Sequence, residues 1–233
     1  MPDSRETDHS VDQQELFTQI ARRYDLVNHL MTGWRDSAWR RYAAKQLLIS
    51  SSARLLDIGC GNGQLVQEIL KQYPDTHPVA ADLTQAMLEV GQERDKTGKI
   101  QWVGTNSIFL PFEEDLFDGV ISGFLIRNLS DIIQGLKEQY RVLKPGGRIA
   151  ILETCRPRQH LLSPLIKLYM NTVMPILGGI VTGQKGAYTY LNKSTAGFLR
   201  AEELAAYLAA VGFKKVAYKE FALGTVAVHW GEK

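Results

Sequence analysis

Leu55-Leu56-Asp57-Ile58-Gly59-Cys60-Gly61-Asn62-Gly63-Gln64-Leu65 decides how this chain folds: an apolar strand runs into a turn with glycine at every second position and out into a helix. Glycines 59, 61 and 63 can take positive φ, and without a Cβ they let a ligand come close to the backbone. The helix beyond the turn offers unpaired N–H groups to a carboxylate or phosphate. The stretch therefore reads as a docking place for a nucleotide-like ligand. Glycine-rich strand-to-helix turns serve several such ligands, so residues elsewhere must separate them.

Strands are predicted over 54–58, 78–82, 100–104, 117–124 and 148–153, and helices over 65–72, 85–94 and 132–143. Such alternation makes parallel crossovers, so the expected fold class is α/β, with helices on both faces of a mostly parallel sheet. Lys144-Pro145-Gly146-Gly147 is read as a stop before a strand opening at Arg148. Amino-terminal helices are predicted over 15–24 and 34–48, and later helices over 163–174 and 202–211. The β-rich runs 214–221 and 225–230, with Gly224 between them, predict a hairpin that places an antiparallel strand at the end of the sheet. Residues 1–14 read as a flexible arm and 15–233 as a single domain. Its parts are N-terminal helices (15–50), a cofactor-binding core (54–153), substrate-covering helices (156–200) and a C-terminal helix with strands (201–233).

Composition excludes several classes. A chain of 233 residues can bury a full core without disulfides or metals. A formal net charge of +2, from 27 basic and 25 acidic residues, gives no footprint for nucleic acid. The polar amino terminus and the lack of an apolar run near the ~18 residues a membrane span needs predict a soluble, cytoplasmic protein. Leu161-Leu162-Ser163-Pro164-Leu165-Ile166 and Met174-Pro175-Ile176-Leu177-Gly178-Gly179-Ile180-Val181 are more apolar than a surface connection needs. They are expected to pack on the core or cover an apolar substrate, with peripheral membrane contact as the alternative. Cys60 and Cys155 lack metal-ligand spacing and His29, His160 and His229 are scattered, so no metal site is expected.

Asp57 separates the candidate ligands. A dinucleotide turn reads Gly-x-Gly-x-x-Gly and seats a pyrophosphate on the helix N-terminus. Here the pattern is Asp57-x-Gly59-x-Gly61-x-Gly63, and a carboxylate at the mouth repels a pyrophosphate but accepts hydrogen bonds from an ammonium group. A cationic, amino-acid-bearing cofactor is favoured over an anionic dinucleotide. Asp82, about twenty residues on at the end of the next strand, can accept from both hydroxyls of a ribose. Asn106, in Gly104-Thr105-Asn106-Ser107, can pair with an adenine edge while Leu83 and Met87 pack on the ring faces. Each has a plainer alternative: Asp82 caps the helix opening at Gln85, Asn106 holds a turn, and Met87 is core. Together their order and spacing favour a site.

The set Asp57-x-Gly59-x-Gly61-x-Gly63, Asp82, Asn106-Ser107 and Val142-Leu143-Lys144-Pro145-Gly146-Gly147 resembles the S-adenosylmethionine-dependent methyltransferases of the Rossmann-like, seven-stranded α/β type, from about residue 54 to the carboxyl end. A narrower likeness spans nearly the whole chain. Tyr24-Asp25-Leu26-Val27-Asn28-His29-Leu30-Met31 with Trp39-Arg40-Arg41, Phe124-Leu125-Ile126-Arg127-Asn128-Leu129, residues 141–153 and Gly224-Thr225-Val226-Ala227-Val228-His229-Trp230-Gly231 are similar to the menaquinone/ubiquinone C-methyltransferases. The resemblance implies seven strands with an antiparallel last strand, and amino-terminal helices and a helical insertion covering the active site. It implies S-adenosyl-L-methionine as cofactor and S-adenosyl-L-homocysteine as product, and a prenylated hydroquinone methylated on a ring carbon. The expected cofactor-binding set is Asp57, Gly59, Gly61, Asn62, Asp82, Leu83, Met87, Asn106, Ser107 and Gly123.

Some positions depart from that family. Cys60, Asn62 and Gln64 stand where glycine, threonine and aspartate are more usual, Val27 replaces a methionine, and the segment 31–39 is short and lacks its usual histidine. Gly123, Leu125, Cys155 and Leu223 stand where serine, glycine, serine and glycine are common. Several of these fall in segments expected to touch the acceptor.

Methyl transfer needs a nucleophile in line with the sulfonium methyl. A hydroquinone carbon becomes one when its hydroxyl is ionised or hydrogen-bonded, so positioning and electrostatics are expected to supply much of the rate. The resemblance gives Arg127 a part in removing the ring proton through water, whereas its chemistry favours a cation stabilising the phenolate, because guanidinium scarcely deprotonates. A surface ion pair is the alternative for Arg127. Asn128 can orient the water or the ring hydroxyl. Tyr24 and Asn28, on a helix able to close over the cofactor, would offer a phenol or an amide to the ring, with core packing as the alternative for Tyr24. Expected catalytic residues are thus Arg127, Asn128 and Tyr24, and expected acceptor contacts Tyr24, Asn28 and Arg127. The apolar stretch 161–181 would form the lid or groove for an isoprenoid tail. A homodimer is compatible with this reading. Rival readings change the acceptor to another small molecule (a polyketide, sterol or amine), make the chain a non-catalytic S-adenosylmethionine-binding regulatory subunit, or substitute a nicotinamide cofactor, which Asp57 disfavours.

Overall fold

The glycine turn ends up at the middle of the sheet because its strand pairs on both sides. The computed structural model describes residues 18, 21–156, 172 and 198–233, apart from the side chains of 23, 24 and 27. In chain order the elements are α1 (Tyr24–Thr32), α2 (Asp36–Gln46), β1 (Arg54–Ile58), α3 (Gln64–Gln72), β2 (His77–Asp82), α4 (Gln85–Arg94), β3 (Gln101–Gly104) and β4 (Phe117–Gly123). They continue with α5 (Ile132–Val142), β5 (Leu143–Thr154), α6 (Ala201–Val211), β6 (Lys214–Phe221) and β7 (Val226–Glu232). The strands make one seven-stranded sheet in the order β3-β2-β1-β4-β5-β7-β6. From β3 to β5 neighbours run parallel, and β7 runs antiparallel to both β5 and β6. The order reverses between β1 and β4, and ligands of open α/β sheets bind beyond the carboxyl ends of the strands at such a switch point.

Alternation along β1 sorts its side chains between two cores. Leu56 and Ile58 pack with Val120, Leu136, Ile151 and Leu204 on one face. Leu55 packs with Trp39, Ala43, Leu65 and Ile121 on the other, beneath α2 and α3. All three are at most 1 % exposed, and full burial of such side chains contributes about 1.5–3 kcal/mol each.

Three details differ from the sequence expectation. Where a helix was expected over 15–24, the described residues give a 3-10 turn at Ala21–Arg23 and then α1 over Tyr24–Thr32. The strand after α5 opens at Leu143, not Arg148: Phe117 pairs with Leu143, and the register resumes at Gly119 opposite Arg148. Lys144-Pro145-Gly146-Gly147 is an excursion inside the strand, where Gly146 takes φ +78° and its N–H donates to the Lys233 carbonyl. The hairpin forms as expected, but β7 inserts between β5 and β6 and leaves β6 at the edge. The side chains explain this order, because β7 is nearly all buried while β6 carries Lys214, Lys215, Lys219 and Glu220, charges that suit an edge. Apart from residue 172, the helix expected over 163–174 and the apolar stretch 161–181 lie outside the described residues. Among the described residues no helix is long and apolar enough to cross a membrane.

Candidate active site

The same alternation that sends Leu55 toward α2 and α3 sends Asp57 there. Its Oδ2 accepts the Val66 N–H at 3.1 Å, near the start of α3. Gly63, which precedes that helix, has φ +81° and no side chain for a cap, so the strand carboxylate satisfies an N–H that a capping residue usually takes. Asp57 is 1 % exposed and its Oδ1 has no partner. Burial pushes its carboxyl up to about 8, opposed by the Val66 bond and the Arg40 charge and reinforced by Asp82.

Asp82 grips the turn from β2. Its Oδ2 accepts the Gly61 N–H and its Oδ1 the Thr84 N–H, both at 2.8 Å, and burial raises this carboxyl as well. Neither bond uses all the lone pairs of its oxygen. Gly61 has φ +55°, and a Cβ there would meet no protein atom within 4 Å. At Gly59 (φ +65°) a Cβ would stand 2.6 Å from Leu125 Cδ1. Backbone conformation favours glycine at both positions, with packing against Leu125 added at 59 and open space at 61. Two desolvated carboxylates with one orphaned oxygen at such an opening suit a ligand that brings positive charge, and Asp82 retains capacity for hydroxyl donors.

Other predicted cofactor residues are placed differently. Asn62 is 2 % exposed, and its Nδ2 donates to Asp25 Oδ1 at 2.6 Å, so its amide holds α1. Met87 is 2 % exposed against Ala21 and Val90, because its place on α4 turns it inward; it packs as core, as its plainer alternative had it. Leu83 is 44 % exposed. Asn106 Oδ1 accepts the Ile108 N–H at 3.1 Å, which is the turn-holding alternative, and Ser107 behind it is buried. Gly123 ends β4, and a Cβ there would lie 3.2 Å from Leu65 Cδ2.

Past β4, Phe124 takes φ +59° and a 3-10 turn, Ile126–Asn128, follows. Arg127 forms an ion pair with Glu153 on β5, and the two side chains are 4 % and 0 % exposed. The Arg127 N–H also donates to Glu153 Oε2 at 3.3 Å. The pair is buried, not the surface contact that was the alternative. Arg127 Nε and Asn128 Oδ1 remain buried without partners, while Asn128 Nδ2 donates to the Phe124 carbonyl at 3.2 Å. The Phe124 ring has the Arg127 guanidinium 5.6 Å from its centroid and that of Arg40 at 5.7 Å. On α1, Asn28 Nδ2 is likewise buried and unpartnered. The side chain of Tyr24 lies outside the described residues.

Sequence reading passed over Asp25, Asp36, Arg40 and Glu153. Asp25 bonds Asn62 and also pairs with Arg94 of α4. Asp36 accepts from Arg40 at 2.6 Å and from His29 Nδ1 at 2.8 Å. A carboxylate in the first turn of each helix was visible, but not the partner it would find. Among the described residues no cluster of three His, Cys, Asp or Glu can hold a metal ion.

A solved S-adenosylmethionine-dependent methyltransferase from Thermotoga maritima superimposes on 94 % of this chain and 99 % of its own, with a TM-score of 0.67 and 18 % identity, a likeness of fold. The chain is 36 % identical to the ubiquinone/menaquinone biosynthesis C-methyltransferase UbiE of Desulfotalea psychrophila, over 94 % of this chain and 89 % of that one. It is also 36 % identical to the demethylmenaquinone methyltransferase of Deinococcus radiodurans, over 94 % and 92 % of the two. Residues 4–233 match the ubiE/COQ5 methyltransferase family, and with the buried acidic mouth of its glycine turn, the chain is a methyltransferase belonging to that family.

Proposed function

We propose that this enzyme transfers the methyl group of S-adenosylmethionine to a ring carbon of a prenylated quinol of the demethylmenaquinol kind. The observation that carries the reading is the buried Arg127–Glu153 pair beside the end of β4, with Arg127 Nε and Asn128 Oδ1 unpartnered. A guanidinium keeps its proton, so Arg127 acts as a fixed cation for developing phenolate charge, and Asn128 Oδ1 accepts from a ring hydroxyl or water. Asp57 Oδ1 takes the cofactor's ammonium group, Asp82 its ribose hydroxyls, and Gly61 leaves room for it. Leu83, Asn106, Ser107 and Gly123 border the adenosine, and Tyr24 and Asn28 meet the acceptor from α1. The names of the relatives at 36 % identity support the acceptor class. Residues 15–233 act as one domain.

The test is incubation with methyl-labelled S-adenosylmethionine and a demethylated quinol carrying a short prenyl tail. Label on the quinol ring carbon is the expected result. Binding of the cofactor with no transfer to any quinol, alongside transfer to another small molecule, overturns the acceptor.

A further inference from the structure

We propose that His29, backed by Asp36, is the general base that takes the acceptor's hydroxyl proton, a catalytic role separate from that of Arg127 and resting on the quinol reading above. Asp25, Asn28 and His29 stand at i, i+3 and i+4 on α1 and share one face of it. That face rests on the cofactor turn, since Asp25 accepts from Asn62 at 2.6 Å, and it carries the buried, unpartnered Asn28 amide. His29 Nδ1 lies 2.8 Å from Asp36 Oδ1, which also accepts from Thr32 Oγ1 at 3.1 Å, while Asp36 Oδ2 accepts from Arg40 at 2.6 Å. Asp36 is 1 % exposed. Its burial favours the neutral acid, but the bonds from His29 and Thr32 and the charge of Arg40 overrule this and hold the carboxyl below its ordinary value. With Asp36 ionised, the Nδ1–H of His29 donates to its carboxylate. The other nitrogen, Nε2, bonds to no described residue, and the side chain is 28 % exposed.

A carboxylate behind one imidazole nitrogen and an open second nitrogen is the arrangement of a general base. Arg40 carries the dyad to the acceptor side, because its guanidinium and that of Arg127 both address the Phe124 ring. Arg127 itself keeps its proton against Glu153. Among the described residues the charged groups facing His29 are Asp36 and, behind it, Arg40; Asp25, one turn back on α1, is taken up by Asn62 and Arg94.

The step balances without any further reactant. The hydroxyl proton passes to Nε2, and the electron pair left on oxygen feeds into the ring. The ring carbon bonds to the methyl as the S–CH3 bond breaks, its pair remaining on sulfur in neutral S-adenosylhomocysteine. The hydrogen on the methylated carbon then moves as a proton to the ring oxygen, restoring the aromatic hydroquinone, and imidazolium releases one proton to water.

The experiment measures methyl transfer to a demethylated quinol at saturating S-adenosylmethionine across the neutral pH range. It compares wild type, His29→Asn, which keeps an amide donor for Asp36, and His29→Ala with and without added imidazole. Expected are a fall in kcat on the order of 100-fold in both variants with cofactor affinity kept, loss of the acid limb of the kcat profile, and partial recovery of His29→Ala with imidazole. A wild type that transfers nothing to the quinol overturns the acceptor reading and this role with it. A wild type that transfers while His29→Asn shows the same kcat and pH profile overturns this role alone, as does a loss in His29→Ala that is uniform with pH and unmoved by imidazole.

Discussion

Asp57 enters neutral pH largely protonated, since burial holds its carboxyl at about 8 and Oδ1 finds no partner. A ligand ammonium group at that oxygen favours the ionised form, so binding and proton release are linked. Cofactor affinity then rises about tenfold per pH unit toward pH 8 and levels off above it. Calorimetry in two buffers of different ionisation enthalpy should report about one proton released at pH 7. Asp57→Asn should abolish the release, flatten the pH dependence and weaken binding. A wild type that releases no proton removes Asp57 from the ammonium contact. The strand, the glycine turn and the helix around Asp57 are legible in sequence because their requirements are local: an apolar strand and a turn in the left-handed region. Asp25 and Glu153 are not, because Asn62 lies 37 residues from Asp25 and Arg127 26 from Glu153, and only the assembled sheet brings each pair together. Met87 shows the opposite difficulty, since a residue on a short helix near the glycine turn reads equally as ligand contact or core, and its packing against Ala21 and Val90 comes only with the assembled fold.

Among the elements, α1 and the turn after β4 depend on single carboxylates. Asp25 joins α1 to the glycine turn and to α4 at once, and it is partly exposed, so its removal should change global stability by less than about 1 kcal/mol. What it should change is the local opening of α1. Asp25→Ala is expected to speed proteolysis within 21–32 and to weaken cofactor binding about tenfold, with urea unfolding nearly unchanged. Equal sensitivity to protease in variant and wild type would falsify this latch. Glu153 is the contrasting case. Its removal strands a guanidinium that is 4 % exposed, a loss of about 3–5 kcal/mol. The double change Glu153→Leu with Arg127→Met removes both charges and should recover most of that stability without recovering turnover. Urea unfolding of the two variants decides it: a double variant as unstable as Glu153→Leu alone means packing, not charge, sets the loss. The succession of strands and helices along the chain was readable from the apolar runs, whereas the place of β7 between β5 and β6 was not. The opening of β5 at Leu143 was not, because a proline with two glycines signals a break without saying whether it falls between elements or inside one.

Over the whole molecule two buried groups pull stability in opposite directions with pH. His229, on β7, bonds the Ala201 carbonyl at the start of α6 at 2.8 Å, and burial lowers its pKa from 6.5 to about 4. Between those values the unfolded chain binds the extra proton, so His229 makes the fold less stable as pH falls, by about 1.4 kcal/mol per unit. Asp57 is raised from 3.8 to about 8, so between those values the folded chain binds the extra proton and stability grows as pH falls, by a similar slope. Asp82, also raised, acts in the same sense as Asp57. In the cofactor-free protein the two slopes oppose each other from about pH 4 to 6.5, and above 6.5 Asp57 acts without His229, so stability should fall by about 2 kcal/mol on going to pH 8. Urea unfolding over pH 4–8 can separate them. His229→Gln should leave a fold that gains stability steadily on acidification, and Asp57→Asn one that loses it below 6.5. On the proposed contact between Asp57 and the ammonium group, saturating S-adenosylmethionine should erase the decline above 6.5 in wild type. A wild-type decline that persists unchanged in Asp57→Asn places the responsible proton elsewhere.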